Sequence, residues 1–175
     1  MAGITASPET HNPLLVNYFE FVLDRVPNMT FFCQSANLPG LGMGVVQQET
    51  PFAYPINVPS GAIRFEELTL SFKVDENLTN WLELYNWIKR SSNYAIDCQD
   101  SANRYTTYSQ KTESNGSLLI TNSSYKPKIK INFLNLFPTS LSGIQFSVAL
   151  PDSFEAIATV KFIFTSYKIE KLVNS

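Results

Sequence analysis

Residues 65–74 read as a strand, and from Glu67 on they alternate without a break. Leu68, Leu70, Phe72 and Val74 fall at one parity, and Glu67, Thr69, Ser71 and Lys73 at the other. A period of two is the period of a pleated strand, whose successive side chains point to opposite faces. A strand that is apolar on one face and polar on the other must lie on a core in a sheet open to water on its far side. Antiparallel sheets tolerate that arrangement and parallel sheets do not. This one decapeptide therefore leans the whole chain toward antiparallel β architecture.

Other segments repeat the pattern. In residues 17–26, Phe19, Phe21 and Leu23 oppose Glu20, Val22 and Asp24. Pro27-Asn28 has turn chemistry, and residues 29–36, with Phe31 and Cys33, read as a second strand, so a hairpin is expected here. Strands are also expected at 117–122 and at 128–136, where Ile129, Ile131 and Phe133 alternate with Lys128, Lys130 and Asn132. A turn at 137–140, a strand at 144–149 and a turn at Pro151-Asp152 follow. One long final strand is expected at 154–170, with Phe154, Ala156, Val160, Phe162 and Phe164 on a shared face. The 13 Phe and 8 Tyr against only 7 Gly fit this reading, because aromatic residues favour pleated, half-buried surfaces.

One segment breaks the period. Leu78, Trp81, Leu82, Tyr85 and Ile88 recur at helical spacing and predict a helix over 77–90. Asp75, Glu76 and Glu83 near its start, with Lys89 and Arg90 at its end, suit the helix dipole. Asn77 or Asn80 is the expected cap, the latter with Glu83 three residues on. Trp81, Leu82, Tyr85 and Ile88 are the expected packing face, widened by Leu84 and Trp87.

Two stretches resist assignment to regular elements. Residues 37–44 hold Gly40, Gly42, Gly44 and Pro39, and with Pro51, Pro55 and a turn at Pro59-Ser60-Gly61 they predict a projecting loop over 37–64. Segments 45–50 and 52–58 fit at most short edge strands within it. Residues 91–116 are rich in Ser, Asn, Gln, Thr and Tyr and predict a long exposed loop. Residues 1–15, polar and carrying Pro8 and Pro13, predict an N-terminal arm, so 16–175 is expected to be one domain. The expected fold is mainly β: two packed antiparallel β-sheets, as a sandwich or an open barrel, with one flanking α-helix and no βαβ rhythm.

The chemistry is sparse, and no enzyme is expected. The single histidine, His11, lies in the arm with nothing visible to orient it as a general base. Cys33 and Cys98 are far apart in sequence and read as buried apolar side chains. One His and two distant Cys cannot make a zinc site, so no metal or cofactor is expected. Glu66 and Glu67 are neighbours on a strand and point to opposite faces, which rules them out as an acid–base pair. The glycines of 37–44 match neither phosphate-binding nor dinucleotide-binding spacing. Lys126, Lys128 and Lys130 make a basic stripe without interleaved aromatics, which fits a solvated or subunit-facing surface better than a nucleic-acid site. No apolar run is long enough to span a bilayer, and the N-terminal residues lack a secretory pattern. Four N-x-S/T sequons, beginning at Asn28, Asn77, Asn115 and Asn122, are then compositional coincidence, and a cytosolic home is expected.

The net charge is −2, unevenly spread. Residues 1–85 carry three basic and nine acidic side chains, and residues 86–175 carry ten basic and six acidic. Folding either interleaves these charges or leaves a subunit with an acidic and a basic flank, suited to head-to-tail contact. The remaining assets are long apolar strand edges, which are hazardous unless covered or used between subunits. A monomeric carbohydrate- or peptide-binding sandwich is the alternative from another class, with Tyr94, Tyr105 and Tyr108 as its candidate aromatics.

Taken in order, several motifs resemble the tail tube proteins of contractile-tailed, T4-like bacteriophages. They are Met29-Thr-Phe-Phe-Cys-Gln-Ser-Ala-Asn-Leu-Pro-Gly40, Tyr54-Pro-Ile-Asn-Val58, Phe65-Glu-Glu-Leu-Thr-Leu-Ser-Phe72, and Asp75-Glu76 ahead of a helix with Trp87. Phe137-Pro-Thr139, Gly143-Ile144 and the closing Phe162-Ile-Phe-Thr-Ser-Tyr167 complete the set. The resemblance spans roughly residues 16–170, with 91–116 outside any family motif. Baseplate tube-initiator proteins and injection-system tube proteins are similar, although initiators tend to carry extra sequence. The resemblance implies a hexameric β-barrel ring stacked on others into a hollow tube for DNA ejection inside a contractile sheath. It implies the sheath, initiator and tail terminator proteins as partners, DNA passing without specific binding, no membrane insertion, and residence in a virion tail after assembly in the bacterial cytoplasm.

On that footing Val45, Val46, Phe52 and Ile56 are the expected inter-ring anchors. Glu49, Glu66, Glu67, Asp75, Glu76 and Glu155 are the acidic candidates for the lumen, and the lysine stripe should face elsewhere.

Overall fold

The computed structural model describes residues 14, 17–49, 51, 54–91, 113–121, 126–147 and 155–172. Nine strands and two helices lie among them: β1 (Phe19–Leu23), α1 (Pro27–Phe32), β2 (Cys33–Ala36), β3 (Leu41–Gln48), β4 (Ile56–Phe65) and β5 (Leu68–Lys73). Then come α2 (Thr79–Ser91), β6 (Ser114–Thr121), β7 (Pro127–Leu141), β8 (Ile157–Ile163) and β9 (Ser166–Lys171). All the pairings are antiparallel. The mainly β, two-sheet expectation holds, and the sheet stays open within one subunit.

β7 is the strand that both sheets share. Its first part pairs with β6 on one edge and β9 on the other, and β6 pairs in turn with β1. Its last residues, from Phe137 on, pair with β8, which continues to β5 and then β2. Asn135, with φ at 54°, sits where the strand passes from one sheet to the other. Asn is among the few residues that take this left-handed conformation readily. The turn expected at 137–140 is therefore part of the closing segment of a long strand, with buried Pro138 inside it.

The inward faces of both sheets meet in one core. Phe21, Leu118, Ile131 and Phe133 come from the first sheet, and Leu68, Leu70, Phe72, Val160 and Phe162 from the second. Each such side chain contributes about 1.5–3 kcal/mol relative to exposure. Phe133, Phe164 and Tyr167 contact one another edge-on or tilted, with centroids 5.2–5.9 Å apart, a geometry that suits the ring quadrupole.

Several local expectations give way to this core. The hairpin over 17–36 does not form. β1 pairs with β6, and Pro27 opens a helix, where its missing N–H costs nothing. The short helix carries Met29 into the core, fully buried. The final strand is two strands, broken at Phe164–Thr165 so that β8 and β9 can join different sheets. Residues 142–147 are not strand. The loop over 37–64 is largely a long two-stranded hairpin, β3–β4. The loop over 91–116 ends earlier, at β6, and its residues 92–112 lie outside the described residues, as does all of the 1–15 arm but Leu14.

The predicted helix stands, shifted to 79–91, but its buried face is different. Asn80, Leu84 and Trp87 are buried, whereas Leu82 and Tyr85 are 44% and 41% exposed and Trp81 and Ile88 are half-buried. The apolar residues cover a broad arc of this helix, from Trp87 and Leu84 round to Leu82, so periodicity could not choose between two stripes. The choice falls to Trp87, whose ring packs 5.9 Å from Phe162 with the Arg25 guanidinium 5.2 Å above it. Trp81 stacks on Tyr85 at 5.4 Å, and its indole N–H donates to the Ser142 carbonyl at 3.2 Å. Asn80 is no ordinary N-cap. Its Oδ1 accepts from the Asp75 and Trp81 amides and its Nδ2 donates to the Lys73 carbonyl, which satisfies the connection from β5 to α2. Glu83 serves no capping box with it. Its carboxylate accepts from Asn28 Nδ2 at 2.8 Å and ties the two helices together.

Candidate assembly surfaces

The β3–β4 hairpin pairs only with itself and carries its apolar residues in the open. Leu41 faces Phe65, Met43 faces Ile63, Val46 faces Val58 and Gln48 faces Ile56 across the ladder. Leu41, Met43, Val45, Val46, Ile56 and Ile63 are each more than half exposed. A two-stranded hairpin is marginal in water, and exposed apolar residues gathered on one are candidates for an interaction surface. Of the expected anchors, Val45, Val46 and Ile56 are exposed on this hairpin, Val46 and Ile56 on one face and the adjacent Val45 on the other, and Phe52 falls outside the described residues. β4 bulges opposite Gly44, and Gly61 takes φ at 75° there, a conformation that favours glycine.

The root of the hairpin is stapled to the rest of the fold. Asn37 Oδ1 accepts from the Thr69 amide at 2.6 Å, and Asn37 Nδ2 donates to the Glu67 carbonyl at 3.1 Å. The Glu66 carboxylate accepts from the Gly40 amide at 3.2 Å, and the Tyr167 hydroxyl donates to the Pro39 carbonyl at 3.5 Å. A Cβ at Gly40 would meet the Glu66 carboxylate at 2.7 Å, so a larger residue there would push that side chain aside. None of these staples is legible as a motif. Asn37 is one polar residue after a strand, and its partners are about 30 residues away.

The second surface is the outer face of the half-sheet β7–β8–β5–β2. Thr69 lies beside Lys161, Ser71 beside Thr159 and Lys73 beside Ile157. The Ser71 and Thr159 hydroxyls are hydrogen-bonded at 3.3 Å. Glu67 pairs with Lys161 at 3.1 Å and Glu155 pairs with Lys73. Two of the six acidic candidates thus belong to this face. Glu66 is turned to the hairpin root, Glu49 follows β3, and Asp75 and Glu76 occupy the connection into α2. Among the described residues this half-sheet has two unpaired edges, the outer edge of β2 and that of the last part of β7. The lysine stripe lies on the other sheet, where Lys130 sits beside Leu119 and Glu170.

Little here supports reaction chemistry. Among the described residues no group of three or more His, Cys, Asp or Glu side chains could hold a metal ion. Burial pushes the Cys33 thiol up to about 11, against a weaker opposing effect of its hydrogen bond to the Ser35 carbonyl, so it stays protonated at neutral pH. His11, Cys98, Tyr94, Tyr105 and Tyr108 fall outside the described residues.

The sequence profile of the phage tail tube proteins matches residues 10–170. The chain belongs to the phage tail tube protein family. A relative, the tail tube terminator protein of Enterobacteria phage T4, is 26% identical over 147 residues, covering 81% of this chain and 78% of that one. Among solved structures, the tube-terminating cap of the anti-feeding prophage superposes with a TM-score of 0.67 at 17% identity, over 98% of this chain and 100% of that one. The sheath–tube complex of an extracellular contractile injection system, PVC, in its extended state gives 0.65 at 16% identity, over 93% and 94%. At these identities the structures share the fold.

Proposed function

We propose that this protein is a structural, non-enzymatic subunit of a contractile tail's tube, and that copies of it close into hexameric rings around a DNA conduit inside the sheath. The observation that carries this is the half-sheet β7–β8–β5–β2. Its four strands alternate in direction, so β2 of one copy and the end of β7 in the next run antiparallel when brought together. An even, fully alternating strand count lets identical copies extend one sheet head-to-tail, and closure removes both free edges. Six copies would contribute about 24 strands, and barrels of roughly 16–18 strands already leave an aqueous channel. The exposed hairpin then covers its apolar residues on a neighbouring copy, with Val45, Val46 and Ile56 as the contacts. Such rings would stack into a tail assembled in the bacterial cytoplasm, with sheath, initiator and terminator proteins as partners.

Sedimentation and negative-stain microscopy of the purified chain test this reading. Rings or tubes are expected from the native sequence, and folded monomers from Val46→Asp/Val58→Asp. A native chain that stays near 20 kDa at every salt and concentration would count for a monomeric binding module instead.

A second reading places the ring at the end of the tube. It is supported by the T4 relative, itself a tube terminator, and by the full-length overlap with a terminating cap. Counting copies per virion decides between them. A single ring at the head-proximal end means a terminator, many rings along the shaft mean a tube protein, and one ring at the baseplate means an initiator.

A further inference from the structure

Folding keeps a surplus of each charge apart, at the two ends of β7. At its start, Lys130 lies beside Glu170, Asn132 beside Lys168 and Ile129 beside Lys171 in the ladder. Lys128, Lys130 and Lys168 share the outer face, and Lys171 stands at its margin. None of these four lysines is ion-paired to a described residue. The acids nearest them in the ladder are Glu170 and, two strands away, Glu20. At the other end of β7, Leu141 lies beside Val160 and the Ser142 amide donates to the Thr159 carbonyl at 2.8 Å. Just beyond, the Val74 amide donates to the Ala156 carbonyl at 2.8 Å, which sets Asp75 beside Glu155, with Glu76 next along the chain. Glu155 is bonded to Lys73, whereas Asp75 and Glu76 are ion-paired to no described residue. Roughly 40 Å of strand, bent at Asn135, separates the two groups. The Debye length in physiological salt is about 8 Å, so they do not neutralise each other within one copy.

We infer that these two ends dock on each other between copies: the lysines at the start of β7 receive the Asp75, Glu76 and Glu155 end of a second copy in the next ring. The inference rests on the proposed ring. Ring closure uses the edges of strands, and the strands of a barrel tilt about 35–45° from its axis, so their ends reach opposite rims. β5 ends and β8 begins at the acidic rim. At the opposite rim of that half-sheet, Glu66 is held by the Gly40 amide and Glu67 by Lys161, which leaves the lysines as the surplus charge. A contact between unlike ends is heterologous. Each copy offers one of each, so the array extends in one direction without closing. A single exposed ion pair contributes at most about 1 kcal/mol. The contact recurs at every copy round the ring, and like ends repel, so the sum sets the polarity and rate of stacking.

Two full-length variants test the contact. Lys128→Glu/Lys168→Glu makes both ends acidic, and Glu76→Lys/Glu155→Lys makes both ends basic. All four side chains are exposed, so circular dichroism should show native folds. Elongation is followed by light scattering at low salt. Each variant alone should elongate at least about tenfold more slowly than the native chain and leave single rings under the microscope. An equal mixture should recover the native rate, because every contact again joins unlike ends. A variant that elongates as the native chain does overturns the inference, as does a mixture no faster than its components. If a reversal loses the native spectrum, Lys128→Gln/Lys168→Gln and Glu76→Gln/Glu155→Gln replace the pair. Each should then slow elongation and gain nothing from mixing, and a native rate in either overturns the inference. A native chain that forms no rings counts against the ring alone. Sedimentation then reads the contact directly: the two charge-reversed variants should associate in mixture at concentrations where each alone stays monomeric, and no difference overturns the inference.

Discussion

Replacing Trp87 with Ala should be the most damaging single change in α2. The indole is 2% exposed, packs against Phe162 and carries the Arg25 guanidinium on its face. A buried aromatic of this size covers roughly 150–250 Å², which at about 25 cal/mol per Å² is about 4–6 kcal/mol. Measured Trp and Phe truncations in cores cost about 3–5 kcal/mol, since neighbours relax only partly into the space. For a domain of this length that is a fall of roughly 6–20 °C in Tm. Trp81→Ala should cost less, about 1–2.5 kcal/mol, because the site is only half-buried at the margin of the core and loses, beyond that partial packing, a stacked Tyr85 and one hydrogen bond to Ser142. Leu82→Ala should fall within about 1 kcal/mol. Urea titrations followed by circular dichroism, on dilute protein so that association adds nothing, rank the three. If Trp81→Ala proved as costly as Trp87→Ala, or Leu82→Ala cost more than about 2 kcal/mol, the assignment of the buried face to Asn80, Leu84 and Trp87 would be refuted.

Asn80→Ala should cost about 2–4 kcal/mol, because three hydrogen bonds at the start of α2 lose their partner in a fully buried site; the same urea series measures it. Asn37→Ala should cost about 1–3 kcal/mol and raise amide exchange in β3–β4 ahead of the core strands, so uniform exchange across the chain would refute the stapled root. Cys33 has a folded-state pKa raised from 9.0 to about 11. Its protonated form is favoured by folding, so its contribution is fully present below pH 9 and is lost as pH rises from 9 to 11. Iodoacetamide should accordingly react with Cys33 much more slowly in the native chain than in urea at pH 8.5, as read by peptide mass analysis; equal rates would show the thiol is not shielded.

The strand character of this chain was legible because alternation is a local property. At residues 68–73 the side-chain parity alone selects the buried face, and the structure buries Leu68, Leu70 and Phe72. The same holds for Phe21 and Leu23 in β1, and for Ile131 and Phe133 in β7. What failed was everything that depends on which strand sits beside which. Pro27-Asn28 satisfies a turn and a helix start equally well, and only the space beneath Met29 selects the helix. Phe137-Pro138 resembles a turn, yet it is the point where β7 exchanges one sheet's partners for the other's. In α2 both stripes are apolar, and contact with Phe162 rather than periodicity picks Trp87. The pairing of Lys73 with Glu155 and of Lys161 with Glu67 joins residues about 80 and 90 positions apart, distances over which sequence pattern carries no information about contact. Local sequence thus determined which residues point inward, since that needs only a period. The tertiary structure decided the neighbours, because strand order and long-range ion pairs are settled by the packing of the whole core at once.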